Sequence, residues 1–193
     1  MNTYYYLTST EITALKNWHN WLDNSLGDRS RLRRGERAED ILLTDAFFNF
    51  QSRMPECWRE NKPIFSSAAV AGLLSHVEVD KQDLSKVYQS SFNDKQGKPA
   101  SFAEQLATPI KGGKPPMSEL RFQRLLKSRT TDEFYLGILR AIRLLNKELN
   151  LISLANDIIH WHKEYKTQIS REPTSRLAVC WATDYFTALE NNK

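Results

Sequence analysis

Asp157, His160 and Glu164 stand at i, i+3 and i+7 in a helical stretch, which sets two carboxylates and an imidazole on one face. Such a trio can hold a divalent metal in a nuclease or phosphatase centre. The set is incomplete: one helix ordinarily supplies two ligands, and no second His/Asp cluster is present to finish the shell. His162 turns to another face, and the trio reads first as a solvated polar face above a core built on Trp161. Lys111-Gly112-Gly113-Lys114 is glycine-rich and basic but lacks P-loop spacing and follows no strand pattern. There is no G-x-S-x-G, no H-E-x-x-H and no zinc-type Cys/His quartet. Cys57 and Cys180 stand alone and read as small buried apolar residues, and His19 and His76 as satisfied structural histidines. These patterns predict no catalytic residue, no metal and no cofactor.

The arginines carry a stronger pattern. Arg121 and Arg124 lie three residues apart, and Lys127 follows a turn later. Arg140, Arg143 and Lys147 form an i, i+3, i+7 row, on the side away from Ile138, Ile142 and Leu145. Two neighbouring helices with aligned guanidinium rows make a positive groove, and the planar guanidinium fork matches phosphate oxygens. The alternative is a solvated face paired with Glu119, Asp132 and Glu133. A second patch, Arg29-Ser30-Arg31-Leu32-Arg33-Arg34, alternates too tightly for one helix face, so some of its side chains must point to solvent or a partner. Residues 29–37 hold five Arg against one Glu, and residues 111–148 hold nine Lys or Arg against four acids. The whole chain nets +4, so the remainder nets −5, and positive charge is gathered in two places, as a polyanion-binding surface requires.

The elements that must hold these groups read as helices throughout, an all-α bundle in one domain. Thr8-x-x-Glu11, Ser101-x-x-Glu104 and Thr130-x-x-Glu133 are capping boxes. Ile12, Leu15, Trp18 and Leu22 form the stripe of a first helix ending near Gly27, and Thr44 caps a second, with Phe47, Phe48 and Phe50, that stops at Pro55. The run from Phe65 to Val77 is apolar nearly all round and predicts a central helix with close neighbours. A loop-rich stretch near 92–117 divides the chain into two helical halves. Beyond it, Ser118 caps a helix through Lys127, Thr130 opens one through Glu148, Ser153 begins another, and a last helix follows Pro173. No window shows a strand period. No run approaches the apolar length of a membrane span, no secretory signal opens the chain, and a bacterial-type cytoplasm is the expected compartment.

Several blocks, in order, resemble a known family. They are Gly27-Asp28-Arg29-Ser30-Arg31-Leu32-Arg33-Arg34, Leu43-Thr44-Asp45-Ala46-Phe47 and Ala69-Val70-Ala71-Gly72-Leu73-Leu74-Ser75-His76-Val77, then Ser101-Phe102-Ala103-Glu104-Gln105-Leu106-Ala107. Pro116-Met117-Ser118-Glu119-Leu120-Arg121-Phe122-Gln123-Arg124-Leu125-Leu126, Leu139-Arg140-Ala141-Ile142-Arg143-Leu144-Leu145 and Leu154-Ala155-Asn156-Asp157-Ile158-Ile159-His160-Trp161 complete it. Across about residues 12–186 the chain is similar to CasB, the small subunit of type I-E CRISPR Cascade complexes. Tyr4-Tyr5-Tyr6 and the stretch from Cys57 to Pro63 have no counterpart in that pattern.

The resemblance implies a non-catalytic, all-α subunit that works with a second copy of itself and with other Cascade subunits, beside the crRNA. There it would stabilise the crRNA–target hybrid and the displaced DNA strand, in cytoplasmic antiviral defence. It carries nucleic-acid contacts to Arg33, Arg34, Arg121, Lys127, Arg129, Arg140 and Arg143, with Arg29, Arg31, Lys111, Lys114 and Arg124 behind them. Two other functions would use the same residues differently. A free-standing regulator would use Ser118–Lys127 and the helix after Thr130 as a helix-turn-helix, and a metal-dependent hydrolase would use Asp157, His160 and Glu164.

Overall fold

The Thr8 hydroxyl accepts from Glu11 N, and Glu11 Oε2 accepts from Thr8 N at 2.7 Å, a complete capping box that starts α1 (Ser9–Asn24). The computed structural model to which α1 belongs describes residues 5–83, 85, 87, 98–110, 113–167 and 172–192. The other two boxes are rearranged. Ser101 and Thr130 still cap α7 (Phe102–Ala107) and α9 (Thr131–Leu144), but Glu104 turns inward to Ser85 Oγ at 2.6 Å, and Glu133 accepts from Arg129 N at 2.8 Å.

The first helix ends before Gly27. Ser25 makes a one-residue corner, and α2 (Leu26–Arg34) starts with Gly27 inside it, so the arginine block is itself a helix. The corner is needed because α2 buries a different face, Asp28, Arg29 and Leu32. Short helices α3 (Ala38–Leu42), α4 (Asp45–Arg53) and α5 (Glu56–Asn61) wrap this end.

They surround α6 (Ile64–Leu74), buried from Ser66 to Leu74, which packs on α2, α3 and α4 from one side of the loop-rich stretch and on α9 and α10 (Leu151–Lys166) from the other. Elements before and after residues 92–117 thus share one hydrophobic cluster. Gly72 is where the approach is closest: a Cβ there would run into the Tyr135 hydroxyl and the Ile41 side chain. Gly72→Val should therefore lower unfolding free energy by about 2–3 kcal/mol in urea titration, with activity-independent loss of helicity on heating. An unchanged midpoint would show that α3 and α9 can give way.

Nearly everything else is helical, as the caps and stripes predict: α8 (Glu119–Leu126), a 3₁₀ turn at Pro173–Ser175 and α11 (Leu177–Asn191), which lies along α7. One local departure is a two-residue parallel pair of β1 (Val79–Asp80) and β2 (Glu148–Leu149). To make it, α9 stops at Leu144 instead of running to Glu148. Asn146 N bonds Arg143 O at 3.1 Å and Lys147 N bonds Ile142 O at 3.0 Å, a Schellman closure with φ of 54° and 64° at Asn146 and Lys147.

Candidate nucleic-acid interface

Helix α8 buries Phe122 and Leu125 and turns Arg121 and Arg124 outward. Phe122 stacks on Tyr185 of α11 with centroids 3.8 Å apart, and the Tyr185 hydroxyl donates to Met117 O at 2.6 Å, which fixes where α8 begins. On α9, Phe134, Tyr135, Ile138, Leu139, Ala141 and Ile142 go to the core, so Arg140 and Arg143 fall on the opposite side. Gly137 lets the two helices close up, since a Cβ there would meet Leu125 Cδ1 at 2.7 Å.

The result is a surface groove of about 680 Å³ lined by Arg121, Arg124, Arg140 and Arg143, with Leu136 and Leu144 among its apolar walls. Among the described residues none of the four arginines makes an ion pair. One acid, Glu133, also lines the groove, but its Oε2 accepts from Arg129 N, and among the described residues neither it nor Glu119 nor Asp132 bridges to a cation. Four unneutralised guanidinium groups around one depression make a strongly positive surface. Lys127, at the end of α8, and Arg129, between the helices, are exposed beside it, and Lys114 is exposed on the preceding loop. Lys111 lies outside the described residues. Lys147 leaves the row, because the turn after Leu144 carries it to Glu78, with Nζ to Oε1 at 2.7 Å.

The arginine block on α2 divides. Arg29 is only 9 % exposed and its guanidinium is committed internally, to Asp23 Oδ1 at 2.6 Å, Val77 O at 3.0 Å and Ser75 O at 3.3 Å. Arg33 Nε donates to Ser75 O at 2.8 Å. Both complete the carbonyl end of α6, where a helix terminus leaves acceptors without partners and favours cations. Arg31 is exposed and paired with Asp28 and Asp45, whereas Arg34 is exposed with, among the described residues, only Ser30 O as partner. His19 is satisfied, with Nε2 on Val77 O at 3.0 Å, and burial lowers its pKa. His76 departs from that expectation, since its Nε2 is buried without a hydrogen-bond partner among the described residues.

The Asp157, His160 and Glu164 face is an internal seam, not a solvated one. Asp157 accepts from Trp181 Nε1 of α11 at 2.8 Å. His160 Nε2 lies 3.0 Å from Glu164 Oε1, which also accepts from Leu177 N and so caps α11. Its sequence pattern is that of an exposed strip; the arrival of α11, which periodicity cannot place, buries it. Among the described residues no three His, Cys, Asp or Glu side chains converge as metal ligands.

Burial pushes the Asp157 carboxyl up to about 7, against the hydrogen bonds from Trp181 and Asn156. An unfolded Asp titrates near 4, so between that pH and about 7 the folded chain keeps a proton the unfolded chain has released. Stability from this group therefore falls as pH rises through that window. Asp157→Asn, whose amide oxygen still accepts from Trp181, should remove the loss: its advantage over the parent should grow by on the order of a few kcal/mol between pH 4 and 8. Urea midpoints at both pH values measure this, and parallel curves would contradict it.

The fold and this surface define an all-α protein with a cation-lined groove. The profile of the family described as CRISPR-associated protein Cse2 matches residues 28–186 of the 193. The chain belongs to that family, the CasB small subunits of type I-E Cascade, and is a CRISPR Cascade subunit. Neither a comparison with curated proteins nor one with solved structures returns a match. Among the described residues no helix is long and apolar enough to cross a membrane.

Two features of the interface were not visible in the sequence pattern as read. Gly137 is one, although an isolated glycine inside an amphipathic helix is a signal of close approach. Glu78 is the other, and no local motif marks it.

Proposed function

We propose that this chain is a non-catalytic Cascade subunit that holds nucleic-acid backbone in the groove between α8 and α9. The backbone is that of the crRNA–target hybrid and the displaced single strand, so the subunit steadies the R-loop in the cytoplasm. The observation that carries this is the convergence of Arg121, Arg124, Arg140 and Arg143 on one groove whose single acidic wall, Glu133, makes no ion pair with them among the described residues. Lys127, Arg129 and Lys114 extend the positive surface at its edges, and Arg34 and Arg31 on α2 offer a second contact; Lys111 belongs to the same basic stretch. Arg29 is left out, because its guanidinium is committed inside the fold. Guanidinium contacts to phosphate position a strand without reading it, and base pairing with the guide supplies sequence recognition. A second copy and the other Cascade subunits would extend the positive track.

Purified protein should bind single-stranded DNA or RNA weakly and with little sequence preference. Four phosphate contacts give log K against log salt a slope of about −3 for a single strand. Fluorescence anisotropy across a salt series measures it. A shallow slope with a preferred duplex sequence would favour a regulator instead. Co-expression with candidate Cascade subunits and a guide RNA should yield a particle containing the chain.

A further inference from the structure

Where α2, the end of α6 and the turn after α9 meet, two cations, Arg33 and Lys147, converge on one carboxylate, that of Glu78. Burial first, then the charges of Arg33, Arg143 and Lys147, hold the neighbouring His76 down to a pKa of about 4. Glu78 pairs with both cations. Its Oε1 takes Lys147 Nζ at 2.7 Å and sits 3.6 Å from Arg33 Nη2.

The local backbone does not depend on that carboxylate. Glu78 N and Val79 N both donate to Lys147 O, and the β1–β2 register continues from there. Meanwhile Lys147 is held at φ 64°, in the left-handed region where lysine is uncommon, and this brings its ammonium to the cluster. Glu78 is itself exposed, so a competing anion can reach the position its carboxylate fills.

We infer that Arg33 and Lys147 form a second seat for a phosphodiester of the same strand, and that Glu78 occupies this seat until the strand displaces it. A carboxylate and a phosphate present similar anionic oxygens to a guanidinium fork and an ammonium. The inference rests on the backbone-binding reading above and adds a competing intramolecular anion to it. It makes strand entry cost the loss of two ion pairs, so short or weakly held strands are turned away.

Glu78→Gln tests this, with Glu190→Gln as a control of equal charge change, because Glu190 is exposed on α11 and makes no ion pair among the described residues. Affinity for labelled oligothymidylate and oligouridylate is read by anisotropy over a salt series. Glu78→Gln should bind about 5–10-fold tighter at low salt, with little change in slope, because the same phosphates are seated once either protein is bound. The gain should disappear when Lys147→Gln is added. A gain on one polymer only would name that strand as the occupant. Unchanged or weaker binding by Glu78→Gln, or a gain no larger than that of Glu190→Gln, would overturn the seat. If Glu78→Gln is inert while reversal of groove arginines abolishes binding, the groove stands and the seat falls. If the parent protein binds neither polymer, both fall.

Discussion

Reversing Arg121 and Arg143 to Glu together abolishes binding of single-stranded nucleic acid and leaves helicity unchanged. Both side chains are exposed and line the groove, one from α8 and one from α9, and neither makes an ion pair among the described residues. Each reversal replaces an attraction to phosphate by a repulsion. At a surface, each swap is worth about 2 kcal/mol, so two together weaken binding several-hundred-fold at low salt. The fold does not notice, because exposed side chains without internal partners change stability by about 0.5 kcal/mol or less. Anisotropy with oligothymidylate and far-ultraviolet circular dichroism on the same sample separate the two effects. Retained affinity would mean that the strand runs elsewhere.

Arg29→Ala does the opposite: it destabilises the fold and leaves the groove untouched. The substitution leaves the carbonyls of Ser75 and Val77 without this donor and Asp23 without its partner. Ser75 O keeps Arg33 Nε, Val77 O keeps His19 Nε2 and Asp23 is more than half exposed, so the loss is that of a buried charged donor, about 1–3 kcal/mol. The denaturation midpoint should drop sharply, and any loss of nucleic-acid binding should track the unfolded fraction. A stable Arg29→Ala protein that has lost affinity would instead place Arg29 in the interface.

The contrast between these arginines shows how far the sequence could be read. The helices with strong stripes and caps, α1, α4 and the start of α9, are legible because burial on one face and a capping hydroxyl both leave local marks. Helix α2 is not, because four of its nine residues are arginine and its buried face includes Asp28 and Arg29. The all-round apolar character of α6 gives away its central position, yet the need for glycine at position 72 comes from Tyr135 and Ile41, both distant in sequence.

The rows on α8 and α9 are visible as spacing, and they meet because Gly137 admits Leu125. Lys147 could not be separated from its row, since a Schellman closure built on Asn146 and Lys147 without glycine carries no ordinary stop signal. The polar face on α10 was misread for the same reason in reverse. Its partner, Trp181, lies on another helix, and only packing turns that strip into an interior.

The most direct test of the central claim is photo-crosslinking in the assembled complex, using a DNA strand with photoreactive groups on its backbone and mass spectrometry of the captured peptides. Crosslinks within residues 119–144, lost on reversal of Arg121 and Arg143, are the predicted result. Crosslinks confined to surfaces away from α8 and α9, such as the outer face of α1 or α5, and unaffected by that reversal, would contradict it.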